Sequence, residues 1–145
     1  MAELVIREAE SDDAPQIMDL IKDLAIANGE DSPITEAYID EFLIFPGNGI
    51  LLAEEDGEIL GLVSYSVRPN LYCAGDIARI EELVIRGDAQ GRGIGAALID
   101  ELLHFLESID CVKVAVATGR DDDVAQRFYR THGLGEVKLL LEKKL

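Results

Sequence analysis

The amino-acid sequence predicts an α/β fold of the α+β type, with a mixed, mostly antiparallel central sheet of about six to seven strands flanked by about four helices. Three observations lead to this prediction. Some apolar residues recur at helical spacing, others alternate or run together, and Asp56-Gly57 joins two of the apolar runs. A hairpin combined with helical crossovers requires a mixed sheet with helices on both faces. With 145 residues, we expect a single domain over residues 1–145.

The first third of the chain predicts a strand and two helices. Residues 4–7 alternate like a strand. Ser11-Asp12-Asp13 offers helix N-caps, and the apolar residues that follow keep helical spacing until Asn28-Gly29, where we expect the helix to end. Residues 33–43 bring their apolar side chains near one face, which predicts a second, shorter helix.

The middle of the chain predicts a β-hairpin. Residues 50–55 and 58–65 flank Asp56-Gly57, and a tight turn needs the positive φ that this dipeptide readily adopts. We expect a loop through Pro69 and Asn70. The later predicted elements are a strand over 77–85, a helix over 93–106, a strand over 111–117, a helix from about Asp121 to 132 ended by Gly133, and a final strand in which Val137, Leu139 and Leu141 alternate.

Composition and charge exclude several classes of protein. The chain has 29 acidic and 13 basic residues, a formal charge of −16, whereas nucleic-acid binding needs a cationic face. The charge is compatible with a cationic substrate or with a solubilising surface. No apolar run is long enough to span a membrane, and the N-terminus is unlike a secretion signal, so we expect a cytoplasmic protein. Both a monomer and a homodimer are compatible with the sequence.

The two cysteines do not predict a metal site. Cys73 and Cys111 lie beside predicted strands, outside any Cys-x-x-Cys or histidine-rich spacing. In a reducing compartment we expect them to be free, partly buried thiols. The sequence therefore predicts no metal.

A glycine-rich loop is the strongest functional signal. Gly91, Gly93 and Gly95 lie where a predicted strand gives way to a predicted helix. Glycines let backbone N–H groups approach a ligand, and a helix N-terminus adds unpaired donors and partial positive charge. The loop therefore predicts a phosphate or pyrophosphate site, to which Arg86 and Arg92 would add charge. A glycine-rich turn without a ligand is the alternative.

Two hypotheses compete for the phosphate ligand. Gly91-x-Gly93-x-x-Ala96 also fits the loose G-x-G-x-x-G/A pattern of nucleotide-dependent oxidoreductases. That pattern normally follows the first strand of its fold, and an acidic residue about twenty positions later ends the next strand. Here the loop follows a hairpin and residues 111–118 contain no acid, so the oxidoreductase is the weaker hypothesis.

The segment Gln90-Gly91-Arg92-Gly93-Ile94-Gly95-Ala96 resembles the acyl-CoA signature Q/R-x-x-G-x-G/A of the GNAT acyltransferase superfamily. Residues 81–85 resemble the fourth strand of that family and residues 125–134 its late helix, and the resemblance covers nearly the whole chain. It implies the GNAT acyl-CoA N-acyltransferase fold, with acetyl-CoA as cosubstrate and an amine as acceptor. The sequence departs from the family at Gly87, Asp122 and Leu134, where proline, asparagine and phenylalanine are common.

The resemblance also implies which residues bind the cofactor. Amides of the glycine loop would bind the pyrophosphate of coenzyme A, the backbone of the fourth strand would pair with the pantetheine arm, and Arg127 or Arg130 would reach the nucleotide. The residues expected to bind the cofactor are Leu83, Val84, Ile85, Gln90, Gly91, Arg92, Gly93, Ile94, Gly95, Ala96, Asp122 and Arg127.

Acyl transfer to an amine needs a base, because a lysine-like amine has a pKa near ~10.4 and is mostly protonated at neutral pH. Glu81 and Glu82 are the candidates, and Glu81 is the first choice because polyamine-type relatives carry an acid pair here. A regular strand would point them to opposite faces, and a bulge would move one aside. For each, a surface position or an ion pair with Arg79 is the alternative.

Two further groups would complete the reaction. The N–H of Val84 would stabilise the oxyanion of the tetrahedral intermediate. The resemblance implies that Tyr129 donates a proton to the leaving thiolate of coenzyme A, and its alternative is a purely packing role. Glu81, Glu82 and Tyr129 are therefore the expected catalytic residues.

The sequence thus predicts an acetyl-CoA-dependent N-acetyltransferase that acts on a primary amine of a small molecule or peptide, by direct attack in a ternary complex. A non-catalytic acyl-CoA sensor or partner-binding module on the same fold is the alternative. In this family the first two helices usually wall the acceptor site. The acidic residues of that stretch suit a cationic amine or a solvated face, and they are Glu30, Asp31, Glu36, Asp40 and Glu41.

Overall fold

The computed structural model describes residues 3–145. Short 3₁₀ turns precede the first and third helices. The elements are β1 (Val5–Glu8), α1 (Ala14–Ala27), α2 (Glu36–Ile44), β2 (Asn48–Glu55), β3 (Glu58–Asn70), β4 (Gly75–Ile85), α3 (Ile94–Ser108), β5 (Lys113–Val116) and α4 (Asp123–Thr131).

The strands form one mixed sheet in the order β1-β2-β3-β4-β5. The pairs β1–β2, β2–β3 and β3–β4 are antiparallel. The pair β4–β5 is parallel, because α3 carries the chain back across the sheet between the two strands. The predicted α+β class, mostly antiparallel sheet and four helices are confirmed. The predicted strand number is too high, since residues 3–145 contain five strands and not six or seven.

The predicted final strand is wrong. Val137, Leu139 and Leu141 alternate as a strand would, but residues 135–145 carry no regular structure. These three side chains are 75–88% exposed. Alternation describes which side chains could share a face, whereas a strand also needs a partner for its backbone.

The loop predicted at Pro69 and Asn70 is also wrong, because β3 continues to Asn70. β2 pairs with β3 only as far as Ser66, so beyond that residue β3 is an edge strand on that side. Proline lacks an N–H and is tolerated at an edge. The chain reverses instead just before β4, where Ala74 has a φ of 51°.

The hairpin turn and the start of α1 show how local chemistry sets the elements. Asp56 and Gly57 have φ values of 53° and 78°, which confirms the predicted tight turn. The expected capping residues of α1 form a 3₁₀ turn, Ser11–Asp13, instead. The Asp13 carboxylate does not cap α1, because it accepts two hydrogen bonds of 2.8 Å from the guanidinium of Arg7.

Two apolar clusters cover the two faces of the sheet. On the face covered by α3 and α4, Val63, Leu98 and Leu102 are fully buried. On the face covered by α1 and α2, Ile17, Ile39 and Leu62 are each 2% exposed or less. Within residues 3–145, every helix is too short or too polar to cross a membrane.

Candidate functional site

The glycine loop has the geometry expected of an anion-binding segment. Gly91 and Gly93 have φ values of 80° and 78°, which L side chains rarely adopt. Gly93 is the N-cap of α3 and supplies no side-chain acceptor to the first turn. A Cβ added at Gly91 or Gly93 would meet no protein atom within 4 Å, so packing does not explain these glycines. The open space beside an uncapped helix N-terminus fits a phosphate group.

The third glycine and the nearby arginines have protein partners. A Cβ on Gly95 would lie 3.7 Å from the ring of Phe128 and 3.9 Å from Ile85, so this position packs α3 against its neighbours. The Arg92 guanidinium lies 2.5 Å from Glu55, and that of Arg86 lies 2.6 Å from Asp88. Both cations are therefore already paired, and the backbone of the loop is the stronger anion-binding feature.

One edge of β4 is open in its second half. β4 pairs with β3 along its whole length, but it pairs with β5 only from Ile77 to Ile80. Backbone groups of residues 83–85 that point away from β3 therefore face no strand in the described chain. This edge leads directly to the glycine loop, so an extended ligand arm could pair with it as an added strand.

A β-bulge brings the two candidate carboxylates to the same face. Ser64 pairs with Glu82 and the next residue, Tyr65, pairs with Ile80, so Glu81 is the extra residue of β4. The bulge reverses the alternation of side chains between positions 81 and 82. Glu81 and Glu82 consequently both line the cavity on the α1/α2 face.

Two serines of β3 hold these carboxylates. The buried Ser64 hydroxyl donates to Glu82 Oε1 at 2.5 Å and accepts from the Glu82 N–H at 2.9 Å. Ser66 donates to Glu81 Oε1 at 3.2 Å. Sequence reasoning missed both serines. Their alternate spacing within an otherwise apolar strand was the signal available.

The two carboxylates differ in their ionic surroundings. Arg79 Nε lies 3.6 Å from Glu81 Oε2, which is the ion pair considered from the sequence. Among residues 3–145, no salt bridge reaches Glu82. Glu82 therefore keeps an uncompensated negative charge beside the cavity when it is ionised.

The cavity has a volume of about 520 Å³ and lies between the sheet and the first two helices. Of the acidic residues expected here, Glu30 and Asp31 line it, whereas Asp40 accepts a hydrogen bond from Ser11. Apolar side chains make up most of its wall. They include Ile17, Ile21, Leu24, Ile34, Ile39, Phe42, Ile50 and Leu62.

Tyr129 lies on the other face of the sheet. It is 8% exposed, belongs to the α3/α4 cluster and packs edge-on against Phe128 with a centroid distance of 5.2 Å. Burial, and secondarily the negative charge of Asp122, raise the pKa of the Tyr129 phenol above its ordinary value. The phenol is therefore protonated at neutral pH and able to donate a hydrogen bond.

The remaining predicted cofactor residues have the following surroundings. Asp122 is the N-cap of α4 and accepts from the Ala125 N–H at 3.0 Å. Arg127 and Gln90 are exposed.

Gly133 has a φ of 94° directly after α4, as predicted for a helix-ending glycine.

The structure also weighs against the nucleotide-dependent oxidoreductase. The dinucleotide fold needs an open, mostly parallel sheet with its glycine loop after the first strand. Here one strand pair is parallel, and the loop follows β4.

Comparisons with known proteins agree with this geometry. The sequence profile of the acetyltransferase (GNAT) family matches residues 14–134, more than half of the chain. An uncharacterized N-acetyltransferase of Archaeoglobus fulgidus is 26% identical over 137 residues, which cover 89% of this chain and 91% of that protein. A putative acetyltransferase from Agrobacterium tumefaciens has a TM-score of 0.86 and 27% identity, covering 97% of this chain and 99% of its own.

A more distant structure shares the fold. An aminoglycoside N-acetyltransferase, solved in complex with coenzyme A, has a TM-score of 0.82 at 18% identity. The match covers 100% of this chain and 96% of that enzyme.

Proposed function

Because the chain belongs to the acetyltransferase (GNAT) family and is an acyltransferase, we propose that it transfers an acetyl group from acetyl-CoA to a primary amine by direct attack in a ternary complex. The observation that carries this proposal is the β4 bulge. It places Glu81 and Glu82 together in a cavity, next to the strand edge that leads to the glycine loop.

The cofactor would bind through backbone groups. Amides at residues 91–96 would hold the pyrophosphate, supported by the positive φ of Gly91 and Gly93 and by the uncapped start of α3. The pantetheine arm would pair with residues 83–85 along the open edge of β4. Bound there, acetyl-CoA supplies the activated thioester.

We assign the role of general base to Glu82. Its carboxylate is held by Ser64 and has no cationic neighbour in the described chain, whereas Glu81 shares its charge with Arg79. Glu82 would first take a proton from the ammonium group, directly or through one water, because a protonated amine has no lone pair with which to attack. The second N–H proton would pass to water as the tetrahedral intermediate collapses. Glu81 would attract the ammonium group of the incoming acceptor.

The other two groups act on the acyl carbon and the leaving group. The Val84 N–H would donate to the developing oxyanion. As the C–S bond breaks, the Tyr129 phenol would give its proton to the departing thiolate, which its raised pKa permits at neutral pH. The products are an amide and the free thiol of coenzyme A, and both side chains then recover their starting protonation from solvent.

The test is thiol release from acetyl-CoA with a panel of amines. Glu82→Gln should lower kcat by roughly 10²–10⁴, because it removes the base and keeps the shape of the side chain. The dissociation constant of acetyl-CoA should not change, and the exposed Glu107→Gln variant should behave as wild type.

Tyr129→Phe separates an enzyme from a sensor. If coenzyme A binds this variant normally and kcat falls, the acid role is supported. If wild-type protein binds acetyl-CoA but acetylates no amine, the proposed function fails and the acyl-CoA sensor replaces it.

A further inference from the structure

The side chains that line the 520 Å³ cavity indicate which kind of acceptor amine it can bind. Ile17, Ile39 and Leu62 form its floor, each 2% exposed or less, and the apolar side chains that keep surface open to a ligand are the half-buried Ile21, Leu24, Ile34 and Phe42. An apolar body in contact with these side chains would leave water, which favours binding.

The charged side chains around the cavity have one sign. Glu81 and Glu82 lie at the sheet, Glu30 and Asp31 lie on the segment between α1 and α2, and the residues described as lining it include no lysine or arginine. A cationic head would therefore be attracted, whereas a carboxylate or phosphate on the acceptor would meet like charge and no partner. Arg79 offsets part of the charge of Glu81, whereas Glu82, Glu30 and Asp31 have no salt-bridge partner among residues 3–145.

Building on the N-acetyltransferase function proposed above, we propose that the acceptor is an alkyl- or arylalkylamine without an anionic group. Its ammonium group lies at the two Ser–Glu pairs of β3 and β4, and its apolar body lies against α1, α2 and the buried floor. The single sign of the surrounding charges disfavours free amino acids, because each carries a carboxylate.

Matched acceptors test this inference directly. 2-Phenylethylamine and phenylalanine share an aromatic body and a primary amine and differ by one carboxylate. We expect kcat/KM for 2-phenylethylamine to exceed that for phenylalanine by at least about 100-fold.

A wall variant locates the apolar body. Ile21→Gln should raise KM for 2-phenylethylamine about tenfold and leave KM for acetyl-CoA unchanged, because one buried contact is exchanged for a polar one. The matched control is Ile26→Gln, which changes an α1 side chain that is 72% exposed and should have no effect.

The outcomes separate the substrate class from the reaction. Faster acetylation of phenylalanine would overturn the substrate class and leave the N-acetyltransferase intact. Equal KM values for 2-phenylethylamine in Ile21→Gln and wild type would also overturn it. Binding of acetyl-CoA without acetylation of either amine would overturn the substrate class, and binding without acetylation of any amine of the wider panel would overturn both proposals.

Discussion

The α3/α4 face and the α1/α2 face of the sheet are packed differently, although both consist mainly of isoleucine, leucine and valine. On the first face, Val63, Leu98 and Ile99 are fully buried in one continuous cluster. On the second, α1 and α2 cover the apolar strand residues but leave a cavity of about 520 Å³ above Ser64 and Ser66. The glycine loop leads into α3, which covers the filled face, and the open face leaves a cavity that the proposed acceptor would occupy.

Because the two faces are packed differently, different polar groups are available to contact a ligand at each of them. At the filled face, the groups expected to contact a ligand are backbone amides at the N-terminus of α3 and along the open edge of β4. Every residue type except proline carries such an amide N–H. At the open face they are side chains, and each needs a neighbour to hold it. Ser64 has that role for Glu82.

The largest effect within this comparison is expected from Ser64→Ala. The variant removes the hydroxyl that both donates to the Glu82 carboxylate and accepts from the Glu82 N–H. Because a displaced base acts poorly, kcat should fall roughly 10- to 100-fold while KM for acetyl-CoA is unchanged. Ser66→Ala is the control and should lower kcat less, since its bond to Glu81 is 3.2 Å long. Equal losses in both variants would contradict the assignment of the base.

Gly93→Ala tests the filled face. The added methyl group strains a φ of 78° and crowds the anion site, so the dissociation constant of acetyl-CoA should rise about tenfold, with a loss of about 1–2 kcal/mol in stability. Isothermal titration calorimetry measures the first effect and thermal unfolding the second.

Gly29→Ala is the matched control for this substitution. Gly29 also has a positive φ, 70°, and open space around its Cα. It should lose similar stability with no change in acetyl-CoA affinity. Equal weakening of cofactor binding in both variants would show that the loop acts only through stability.

Asp13→Asn tests how α1, the wall of the open face, is anchored. The hydrogen bonds from Arg7 lower the pKa of Asp13, so the ionised carboxylate stabilises the folded protein above its ordinary pKa of 3.8. The variant should unfold more easily by about 1–3 kcal/mol near neutral pH. Because this contribution disappears as pH falls through the lowered pKa, the two stability curves should converge below about pH 4. Urea unfolding of both proteins from pH 3 to 7 measures the two stability curves. Curves that stay parallel over this range would show that the ion pair is unimportant.

The smallest effect is expected from Asp122→Asn. The negative charge of Asp122 is the secondary cause of the raised pKa of Tyr129, and burial is the larger one. Removing the charge should move the alkaline limb of the pH–kcat profile to lower pH, while α4 stays capped because asparagine caps as well as aspartate. An unchanged limb would argue against Tyr129 as the proton donor.

Sequence patterns predicted the filled face better than the open one. The anion site expected from the spaced glycines stays a prediction. The stripe of Ile94, Leu98 and Leu102 predicted α3, because a local pattern of side chains is enough to specify a helix. The hairpin at Asp56-Gly57 was predicted for the same reason.

The open face depends on features that no local pattern specifies. The sequence left open whether Glu81 and Glu82 share a face, since the bulge depends on the pairing of β3 with β4. The cavity depends on how α1 and α2 pack against the sheet. The alternation of Val137, Leu139 and Leu141 suggested a strand, but alternation does not reveal whether a partner strand is within reach.

Hydrogen–deuterium exchange with each substrate added separately tests the division between the two faces most directly. Coenzyme A alone should slow exchange in peptides that cover residues 83–96 and leave α1 and α2 unchanged. Adding 2-phenylethylamine to that complex should slow exchange in α1 and α2 without further change at residues 83–96. Protection of α1 and α2 by coenzyme A alone, or none at residues 83–96, would contradict the assignment of cofactor and acceptor to separate places.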